Sequence, residues 1–438
     1  MIEYRNLKIA VLGGGTVGSQ VAGYILAHGE EYAARAGAGL QLVGVAVRDL
    51  DAKRDVELPR ELLTTDVESL ILSADIVIEL MGGLEPARSH ILAALNSGAD
   101  VITANKAVLA HHGPELFAAA EQVGAQLYYE AAVAGAIPII RPLRDSLAGD
   151  RVTRILGIVN GTTNFILDRM DSHGDTLEQA LAEATRLGYA EADPTADVEG
   201  FDAAQKAAIL AQLAFHTAVP LETVHREGMT SVTLEQVIAA RRAGYVVKLL
   251  AICERLPDPA TGAEGVAVRV HPALVPLDHP LAAVRGANNA VFVEAEAAGP
   301  LMFYGAGAGG PQTASAVLGD LVSVARRHVA GGPGVAESTH ADLPLLPISA
   351  VPTRYQVRLS VLDQPGVLAT IATEFSAHGV SVETVAQSVP EIETQPPTAT
   401  LEIVTHTAVE AALAATVTAL ESSDAVASVD SVLRVEGS

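Results

Sequence analysis

The stretch "KIAVLGGGTVGSQVA" (8–22) decides the fold of this chain. Its first five residues are mostly apolar and predict a short buried strand, and the residues after the first glycines predict the beginning of a helix. Gly13, Gly15 and Gly18 have the G-x-G-x-x-G spacing typical of the turn that binds a dinucleotide pyrophosphate. The first permits the tight turn, the second lets the backbone approach the phosphates, and the third allows close packing of helix on strand. Such a motif alone is weak evidence, but its position between a predicted strand and a predicted helix favours a dinucleotide site.

The first third of the chain alternates strand-like and helix-like segments around that turn. The strand-like segments are short, β-branched and nearly all apolar, as in parallel strands that helices cover on both faces. A helical pattern over residues 85–98 separates two of them and ends in a glycine. This alternation predicts an α/β protein with an N-terminal Rossmann-type doubly wound sheet. The predicted strands are residues 8–12, 41–47, 74–80 and 99–104.

The rest of the chain predicts two further parts. The middle combines amphipathic helices over residues 176–188 and 201–216 with strand-like segments that predict an antiparallel sheet, and a further helix is predicted over 313–328. Residues 331–353 are dense in glycine and proline without any period, which predicts a linker. Residues 354–438 predict a compact βαββαβ module that is too small to be a catalytic domain with its own cofactor.

The residues after the second predicted strand bear on the choice of cofactor. An acidic residue at this point commonly binds the ribose 2′-hydroxyl of NAD, whereas an arginine accommodates the 2′-phosphate of NADP. Arg48 stands first and could bind a phosphate through two hydrogen bonds, and Asp49 follows it and could serve NAD. We therefore favour NADP(H) and keep NAD(H) as the alternative. The contacts expected from the glycine-rich turn itself are with Gly13, Gly15, Thr16, Val17 and Gly18.

Composition excludes several classes of partner and site. Acidic residues outnumber basic ones by 52 to 28 and no basic cluster interrupts the excess, so neither nucleic acid nor an anionic membrane is expected as a partner. Cys253 is the only cysteine, which excludes an intramolecular disulfide and a cysteine-rich metal site. No apolar run has the length of a membrane-spanning helix, and the first residues lack a signal-peptide pattern. We expect a soluble, cytoplasmic protein.

The stretch "GYAEADPTADVEGFDAAQK" (188–206) crowds five carboxylates in front of a single lysine. A calcium loop counted from Asp193 would need glycine at position six and glutamate at position twelve, and this chain has valine and alanine there. Asp202 and Lys206 are four residues apart on a predicted helix and therefore share a face. By itself such a pair is more typical of an ordinary salt bridge. The predicted helix is apolar almost all round, however, so we expect Lys206 to be shielded from water and able to release its proton.

A second lysine, Lys106, follows the fourth predicted strand. Open α/β sheets bind their ligands at the carboxyl ends of their strands, so this position is suited to a ligand contact. By itself it is slightly more typical of a lysine in a surface loop.

Six segments, taken in order, resemble homoserine dehydrogenases of the monofunctional bacterial type with a C-terminal ACT domain. The resemblance extends over essentially the whole chain, and it implies reversible NAD(P)H-dependent reduction of aspartate 4-semialdehyde to homoserine, a step in threonine, methionine and isoleucine biosynthesis. Six matches in order are far more specific than any single one. The segments are "GGGTVG" (13–18), "ITANKA" (102–107), "YYEAAVAGAIPII" (128–140), "GIVNGTTNFIL" (157–167), the acidic stretch 188–206 and "GAGAGGPQTASAVLGDL" (305–321).

The resemblance implies roles for residues at the substrate. Lys206 matches the catalytic lysine that donates a proton to the aldehyde oxygen, and Lys106 matches a lysine that contacts cofactor and substrate. Glu191 and Asp202 match substrate-binding acids, and Asp197 matches a further acid beside the active site. The remaining acids of the stretch, Asp193 and Glu199, are left to shape the loop or face water.

The resemblance also implies contacts with the cofactor and with a monovalent cation. Thr103 and Gly309 match cofactor contacts. The cation, usually sodium, would be held by Glu130 together with the backbone oxygens of Val133, Gly135 and Ile137.

The C-terminal module resembles an ACT domain through the D-x-P-G turn at 363–366, which opens a predicted helix. Such a turn suits an amino-acid ligand, and the family implies feedback inhibition by threonine in a homodimer or homotetramer. A plain dimerisation module is the alternative. The implied domains are a dinucleotide-binding domain over 1–135 that 305–330 completes, a catalytic and dimerisation domain over 136–304, a linker over 331–353 and the ACT domain over 354–438.

Two other functions remain open at this point. Another amino-acid dehydrogenase with an ACT tail, acting on a hydroxy acid, would usually need a histidine–acid pair, and His111, His112 and His216 have no obvious partner in the sequence. A sensor built on the same scaffold would bind cofactor without turnover.

Overall fold

The N-terminal part of the protein forms a parallel sheet. The structure is a computed structural model, and it describes residues 6–331, 339–388 and 398–437. The strands are β1 (Asn6–Leu12), β2 (Gly39–Ala46), β3 (Leu63–Thr64), β4 (Ile76–Glu79), β5 (Asp100–Thr103) and β6 (Leu127–Tyr128). Their order in the sheet is β3-β2-β1-β4-β5-β6, with every pair parallel. The chain order reverses between β1 and β4, which confirms the predicted doubly wound sheet.

Helices connect these strands, as the alternation of patterns predicted. The central strands are buried on both faces, since the consecutive residues Ile9 and Ala10 of β1, and Ile76 and Val77 of β4, have no exposed surface. This burial explains why the strands are apolar throughout rather than alternating. The helices are α1 (Thr16–Ala36), α2 (Val67–Leu72), α3 (Ala87–Asn96) and α4 (Lys106–Val123).

The middle part of the chain combines helices with antiparallel strands. Strand β11 pairs antiparallel with both β7 and β12, and β9 pairs antiparallel with β10 along its whole length. The strands are β7 (Val152–Ile158), β8 (His225–Arg226), β9 (Tyr245–Pro257), β10 (Glu264–Pro276), β11 (Asn288–Ala295) and β12 (Gly299–Ala306). The helices are α5 (Gly161–His173), α6 (Leu177–Leu187), α7 (Thr195–Val198), α8 (Phe201–Phe215), α9 (Leu234–Arg242) and α10 (Gly310–Ala330).

The C-terminal part has the predicted βαββαβ order, with one additional two-residue strand. Its sheet runs β17-β13-β15-β14, and a core of apolar side chains from both helices and the sheet holds it together. Strand β17 also pairs, in parallel, with β10 at Ala273 and Leu274. The elements are β13 (Pro352–Leu362), α11 (Val367–Ala377), β14 (Val382–Ser388), β15 (Thr398–Thr405), β16 (Ala408–Val409), α12 (Glu410–Glu421) and β17 (Val426–Val435).

The chain divides into two compact units. Within its described residues, the first comprises Met1–Gly161, Asp202–Glu222 and Ala287–Asp342, and the second comprises Thr162–Phe201, Thr223–Gly286 and Leu343–Ser438. Nearly all of α8 and the whole of α10 therefore belong to the unit that contains the parallel sheet. In the part of the chain that the structure describes, no helix is both long and apolar enough to cross a membrane. The domain limits taken from the sequence stay predictions.

Candidate active site

The glycine-rich turn between β1 and α1 has the geometry that its sequence requires. Gly13 has φ +108°, and a Cβ there would lie 2.6 Å from the carbonyl oxygen of Leu80. A Cβ on Gly18 would lie 1.8 Å from the carbonyl oxygen of Gly13, so the helix can approach the turn only without a side chain. A Cβ on Gly15 would meet nothing within 4 Å. Backbone atoms thus fill the space beside Gly13 and Gly18, whereas the space beside Gly15 is open. This arrangement fits a pyrophosphate bound next to Gly15.

Two helices begin at this turn. Gly15 is the N-cap of α1, and Gly309, at φ +130°, is the N-cap of α10. A Cβ on Gly310 would lie 2.9 Å from Cγ2 of Thr16, so the first turns of the two helices are in contact. Both N-termini carry unbonded N–H groups and the positive end of a helix dipole. Gly309 is therefore beside the turn although most of the chain separates it from Gly13.

Basic residues lie near the end of β2. Arg48 is exposed and lies two residues beyond Ala46, the last residue of β2. The carboxylate of Asp49 accepts a hydrogen bond from the backbone of Asp51 (2.8 Å), within its own turn. Nothing in the local sequence marks a second arginine, Arg54, as a cofactor contact. A Cβ on Gly14 would lie 3.3 Å from its Nε, so its guanidinium is at the glycine-rich turn itself.

One carboxylate joins the two lysines of interest. Oδ1 of Asp202 lies 2.9 Å from Nζ of Lys106, and Oδ2 lies 2.7 Å from Nζ of Lys206. Nδ2 of Asn160 donates to Oδ2 of Asp202 (3.0 Å), and Lys206 also donates to the carbonyl oxygen of Val159 (2.7 Å). Asp202 is 8% exposed and Lys206 is 9% exposed, whereas the side chain of Lys106 is 41% exposed. The cluster is therefore buried at Lys206 and open at Lys106.

Local structure explains how these groups meet. Asp202 and Lys206 are one turn apart on α8, whose surroundings are apolar, so the predicted pairing and shielding are confirmed. Lys106 is the first residue of α4, directly after the carboxyl end of β5. The side chain of Asn105 caps this helix by accepting from the backbone of Val108 (3.2 Å). Asn160 follows β7 within the segment 157–167, but nothing in the local sequence marks it as a partner of Asp202.

The cluster has a net positive charge. Burial alone raises the pKa of the Asp202 carboxyl, but the ammonium groups of Lys206 and Lys106 outweigh that effect and hold the pKa well below its usual range. Asp202 is therefore ionised, and two ammonium groups face one carboxylate. An ammonium has three protons to donate. In Lys206 two of them are directed at Val159 and Asp202, which leaves the third for an oxygen that enters the site.

Comparison with known proteins identifies the family. The model of the homoserine dehydrogenase family matches residues 138–322, that of the homoserine dehydrogenase NAD-binding domain matches residues 13–130, and that of the ACT domain matches residues 355–424. The chain is 55% identical over 438 residues to a homoserine dehydrogenase of Mycobacterium tuberculosis, covering 99% of each chain. The chain belongs to the homoserine dehydrogenase family. It is accordingly an oxidoreductase that acts on a CH–OH group and contains an NAD(P)-binding domain and an ACT domain.

Solved structures of homoserine dehydrogenases have the same fold. The crystal structure of a homoserine dehydrogenase from Thiobacillus denitrificans has a TM-score of 0.89 and 40% identity, covering 99% of this chain and 98% of that one. A hyperthermophilic archaeal homoserine dehydrogenase in complex with NADPH has a TM-score of 0.61 and 27% identity, covering 75% of this chain and 99% of that one.

Glu191 and Asp197, the other acids that the family resemblance assigns to the substrate, lie in the second compact unit. Glu191 is exposed in the segment between α6 and α7, and Asp197 is partly buried on α7. The beginning of this segment is anchored, because the carbonyl oxygen of Tyr189 accepts from the hydroxyl of Thr162 (2.7 Å) and its ring packs on Phe165 with centroids 4.9 Å apart. The roles of Glu191 and Asp197 stay predictions.

Asp193 contacts its own segment, whereas Glu199 contacts a residue 31 positions further along the chain. The carboxylate of Asp193 accepts from the backbone of Thr195 (3.1 Å), at the beginning of α7. The carboxylate of Glu199 accepts from the hydroxyl of Thr230 (3.0 Å). These contacts agree with the interpretation that the two acids shape the loop.

The turn proposed for a monovalent cation follows β6. The carboxylate of Glu130, 1% exposed, accepts from the backbone N–H groups of Ile139 (2.6 Å) and Ile140 (2.8 Å) and from the backbone and Nε of Arg141 (3.0 and 2.9 Å). This carboxylate is thus committed to protein donors. Among the described residues, no group of three or more His, Cys, Asp or Glu could hold a metal ion. A cation at this turn would therefore depend on backbone oxygens.

The backbone of the same turn is compatible with that role. Ala132 donates to the carbonyl oxygen of Tyr129 (3.0 Å), Ile137 to that of Ala134 (3.0 Å), and Ala136 to that of Ala306 (3.1 Å). None of these bonds uses the carbonyl oxygens that the prediction requires, which are those of Val133, Gly135 and Ile137.

A second buried acid supports the turn. Oδ2 of Asp320, on α10, accepts from the backbone N–H of Glu130 (2.8 Å), and its Oδ1 lies 3.5 Å from Nε of Arg141. Burial, and then the charge of Glu130, raise the pKa of Asp320 to about 7. Asp320, which supports this turn by accepting from the backbone of Glu130, therefore titrates near neutral pH.

Proposed function

We propose that this enzyme catalyses the reversible NADPH-dependent reduction of aspartate 4-semialdehyde to homoserine at the Lys106–Asp202–Lys206 cluster. The observation that carries the proposal is that a single buried carboxylate lies 2.9 and 2.7 Å from two ammonium groups, beside the carboxyl end of β5. Parallel α/β sheets bind their ligands at that end. The fold alone would not indicate a substrate, whereas this cluster has the charge that carbonyl reduction requires.

The chemistry of Lys206 follows from its contacts. When bound, the nicotinamide cofactor supplies the hydride for reduction or accepts it for oxidation. As the aldehyde carbon gains the hydride, negative charge develops on its oxygen, and the third proton of the Lys206 ammonium stabilises that charge and is then donated to the oxygen. The oxygen becomes the hydroxyl of the product and Lys206 becomes a neutral amine. In the reverse direction the amine accepts the hydroxyl proton.

Asp202 and Lys106 prepare this transfer. The family resemblance gives Asp202 as a substrate-binding acid. Because both of its oxygens already face lysine ammonium groups, we propose instead that it holds Lys206 in position and acts on the substrate through the lysines. When Lys206 has lost its proton, Lys106 remains beside Asp202 to balance its charge. We propose that Glu191 and Asp197 bind the ammonium group of the amino-acid substrate, because that group needs carboxylates.

We propose NADP(H) as the preferred cofactor and NAD(H) as the alternative. The position of Arg48 after β2 supports this preference, as does the NADPH bound by the archaeal relative. The residues proposed to contact the cofactor are Gly13, Gly15, Thr16, Val17, Gly18, Arg48, Thr103, Lys106 and Gly309. The proposed sodium site uses the backbone oxygens of Val133, Gly135 and Ile137, beside Glu130.

The ACT domain is proposed to bind threonine as a feedback inhibitor in the threonine, methionine and isoleucine pathway. The turn before α11 supports an amino-acid site, because Gly366 caps the helix at φ +94° and the D-x-P-G sequence precedes it. A cytoplasmic location and a homodimeric or homotetrameric assembly complete the proposal.

One assay tests the proposed reaction. Purified protein is mixed with NADPH and aspartate 4-semialdehyde, and the loss of reduced-nicotinamide absorbance is followed, with a 2-oxo acid as the alternative substrate. Turnover with the semialdehyde alone is expected. Turnover only with the 2-oxo acid would favour the hydroxy-acid enzyme, and NADPH binding without turnover would favour the sensor. The histidines give the hydroxy-acid enzyme little support, since His111 contacts the carbonyl oxygen of Ala107 (2.8 Å) in its own helix and His112 lies 3.7 Å from Glu115 at the surface.

A further inference from the structure

A buried carboxylate ends the central strand β4. Glu79 has no exposed surface and takes part in none of the ion pairs between described residues. Its Oε2 accepts from the hydroxyl of Thr103 (2.6 Å), and its Oε1 accepts from the backbone N–H of Met81 (2.7 Å). Glu79 and Thr103 are direct partners in the pairing of β4 with β5. Burial of a carboxylate is costly unless it is hydrogen-bonded, and both oxygens of Glu79 accept hydrogen bonds.

The hydrogen bonds continue from Thr103 into the next loop. Its hydroxyl oxygen accepts from the backbone N–H of Asn105 (3.0 Å). Nδ2 of Asn105 donates to the carbonyl oxygen of Gly83 (2.7 Å), while its Oδ1 caps α4. Glu79, Thr103 and Asn105 thus tie the loop 81–83 to the beginning of α4. The next residue is Lys106, which is paired with Asp202.

The place of this network in the sheet relates it to one half of the cofactor. A doubly wound sheet binds a dinucleotide across the point where the strand order reverses, with one mononucleotide over each half. Here the reversal lies between β1 and β4, and the glycine-rich turn with Arg48 belongs to the β1–β2 half. The nicotinamide half of the cofactor therefore belongs over β4 and β5, where Glu79 and Thr103 end their strands.

We propose that Glu79 is a positioning residue for hydride transfer: it shapes the loop 81–83 against the nicotinamide half of the cofactor and, through Thr103 and Asn105, aims Lys106 at Asp202. This inference rests on the proposed function. It goes beyond it because Glu79 touches neither lysine and no feature of its local sequence, except a charge at the end of an apolar strand, marks it.

The structure offers a matched control for a purely structural carboxylate. Asp100 begins β5, at the end of the sheet opposite to Glu79 and Thr103. It is 6% exposed, accepts from the backbone N–H of Gln126 (2.7 Å) and lies 3.1 Å from Nδ1 of His328. Asp100 is thus a second buried, hydrogen-bonded carboxylate of the same sheet, remote from the ligand end.

The test compares Glu79→Gln with Asp100→Asn in the full-length protein. Dissociation constants are measured for NADPH and for adenosine 2′,5′-bisphosphate, which lacks the nicotinamide half, together with kcat and the melting temperature. Glu79→Gln should weaken NADPH binding about tenfold or more and lower kcat at least as much, since it disrupts a hydrogen bond to a charged group. Binding of adenosine 2′,5′-bisphosphate should change less than about twofold. Asp100→Asn should lower only the melting temperature.

The outcomes separate this inference from the proposed reaction. Unchanged NADPH affinity and kcat in Glu79→Gln, with a lowered melting temperature, would overturn the positioning role, as would equal weakening of both ligands. Absence of turnover in the wild type would refute the reaction, while the comparison of the two ligands still decides the placement of Glu79. If Glu79→Gln does not fold, Asn105→Ser replaces it, because serine can still cap α4 but has no amide to donate to the carbonyl oxygen of Gly83. Selective loss of NADPH affinity in Asn105→Ser supports the network, and unchanged affinity or equal weakening of both ligands overturns it.

Discussion

Nζ of Lys206 lies 2.7 Å from Oδ2 of Asp202, one turn earlier on the same buried helix. This pair would be an ordinary surface salt bridge if α8 were exposed, and such bridges contribute little. Burial makes the pair important for stability, because breaking a buried pair leaves an uncompensated charge. The second ammonium, of Lys106 at 2.9 Å, converts the pair into a site with an excess of positive charge.

Removal of the proposed proton donor should stop the reaction without removing the cofactor. In Lys206→Ala we expect kcat to fall by about 10²–10⁴-fold, the usual contribution of a positioned acid. NADPH affinity, measured by fluorescence titration, should remain near that of the wild type. Lys206→Arg is the control, since it keeps the charge but cannot readily release a proton, and its kcat should be similarly low. Near-normal turnover in Lys206→Ala would refute the assignment.

Loss of the proposed substrate acid should affect substrate affinity. Glu191→Gln should raise KM for aspartate 4-semialdehyde by roughly tenfold, since it removes one charged contact with the substrate ammonium. Asp193→Asn, two residues away in the same segment, is the matched control and should leave KM unchanged. Equal KM values in Glu191→Gln and wild type would remove Glu191 from the substrate site.

The preference for NADP(H) should depend on Arg48. Arg48→Ala should raise KM for NADPH by roughly tenfold, because a guanidinium–phosphate contact is lost, and should leave KM for NADH nearly unchanged. Arg35→Ala, an exposed arginine at the end of α1, serves as the control and should change neither value. If Arg48→Ala weakened both cofactors equally, Arg48 would have no role in recognition of the 2′-phosphate.

Asp320 should make stability fall as pH rises toward neutrality. Its pKa rises from 3.8 to about 7 on folding. Between these values the native protein keeps a proton that the unfolded chain has released, so the free energy of unfolding decreases with increasing pH across this window. Asp320→Asn should abolish that decrease and, at pH 8, raise the free energy of unfolding by roughly 1–4 kcal/mol. Denaturant unfolding at several pH values measures it, with the exposed Asp145→Asn as control, and an unaltered pH slope would contradict the prediction.

A partly buried ion cluster in the second unit should contribute to stability. Arg434 donates to Glu227 (2.8 Å) and to Glu410 (3.0 Å), and Glu410 also accepts from the hydroxyl of Tyr355 (2.7 Å). Arg434→Met should lower the free energy of unfolding by about 3–5 kcal/mol, because the buried carboxylate of Glu410 loses its cation. The double variant with Glu410→Gln should recover part of this loss. A loss below about 1 kcal/mol in Arg434→Met would place the cluster in the class of weak surface pairs.

Local patterns in the sequence were enough for some features of the site. The turn at Gly13, Gly15 and Gly18 could be predicted because its spacing and flanking segments are contiguous. The pairing of Asp202 with Lys206 could be predicted because it depends only on helical period. The alternation of apolar segments likewise identified the parallel sheet.

Contacts between distant parts of the chain could not be predicted in this way. No local rule connects Lys106 or Asn160 to Asp202, since they meet only when α4, β7 and α8 are packed. The same holds for Glu79, whose partner Thr103 lies on the neighbouring strand. The family resemblance supplied roles for Lys106 and Asp202, but it did not indicate that one carboxylate would join both lysines.

The pairing of β17 with β10 limits how freely the ACT domain can be exchanged. Its last strand is hydrogen-bonded beside Ala273 and Leu274, and the backbone of Glu436 donates to Leu274 (2.9 Å) while its carboxylate pairs with the buried Arg269 (3.0 Å). A chimera that joins a foreign regulatory domain at the linker would have to reproduce this strand and its glutamate. For protein engineering, therefore, the ACT domain should be exchanged together with its partner strand β10. Exchange of only the segment that follows the linker would break the pairing of β17 with β10.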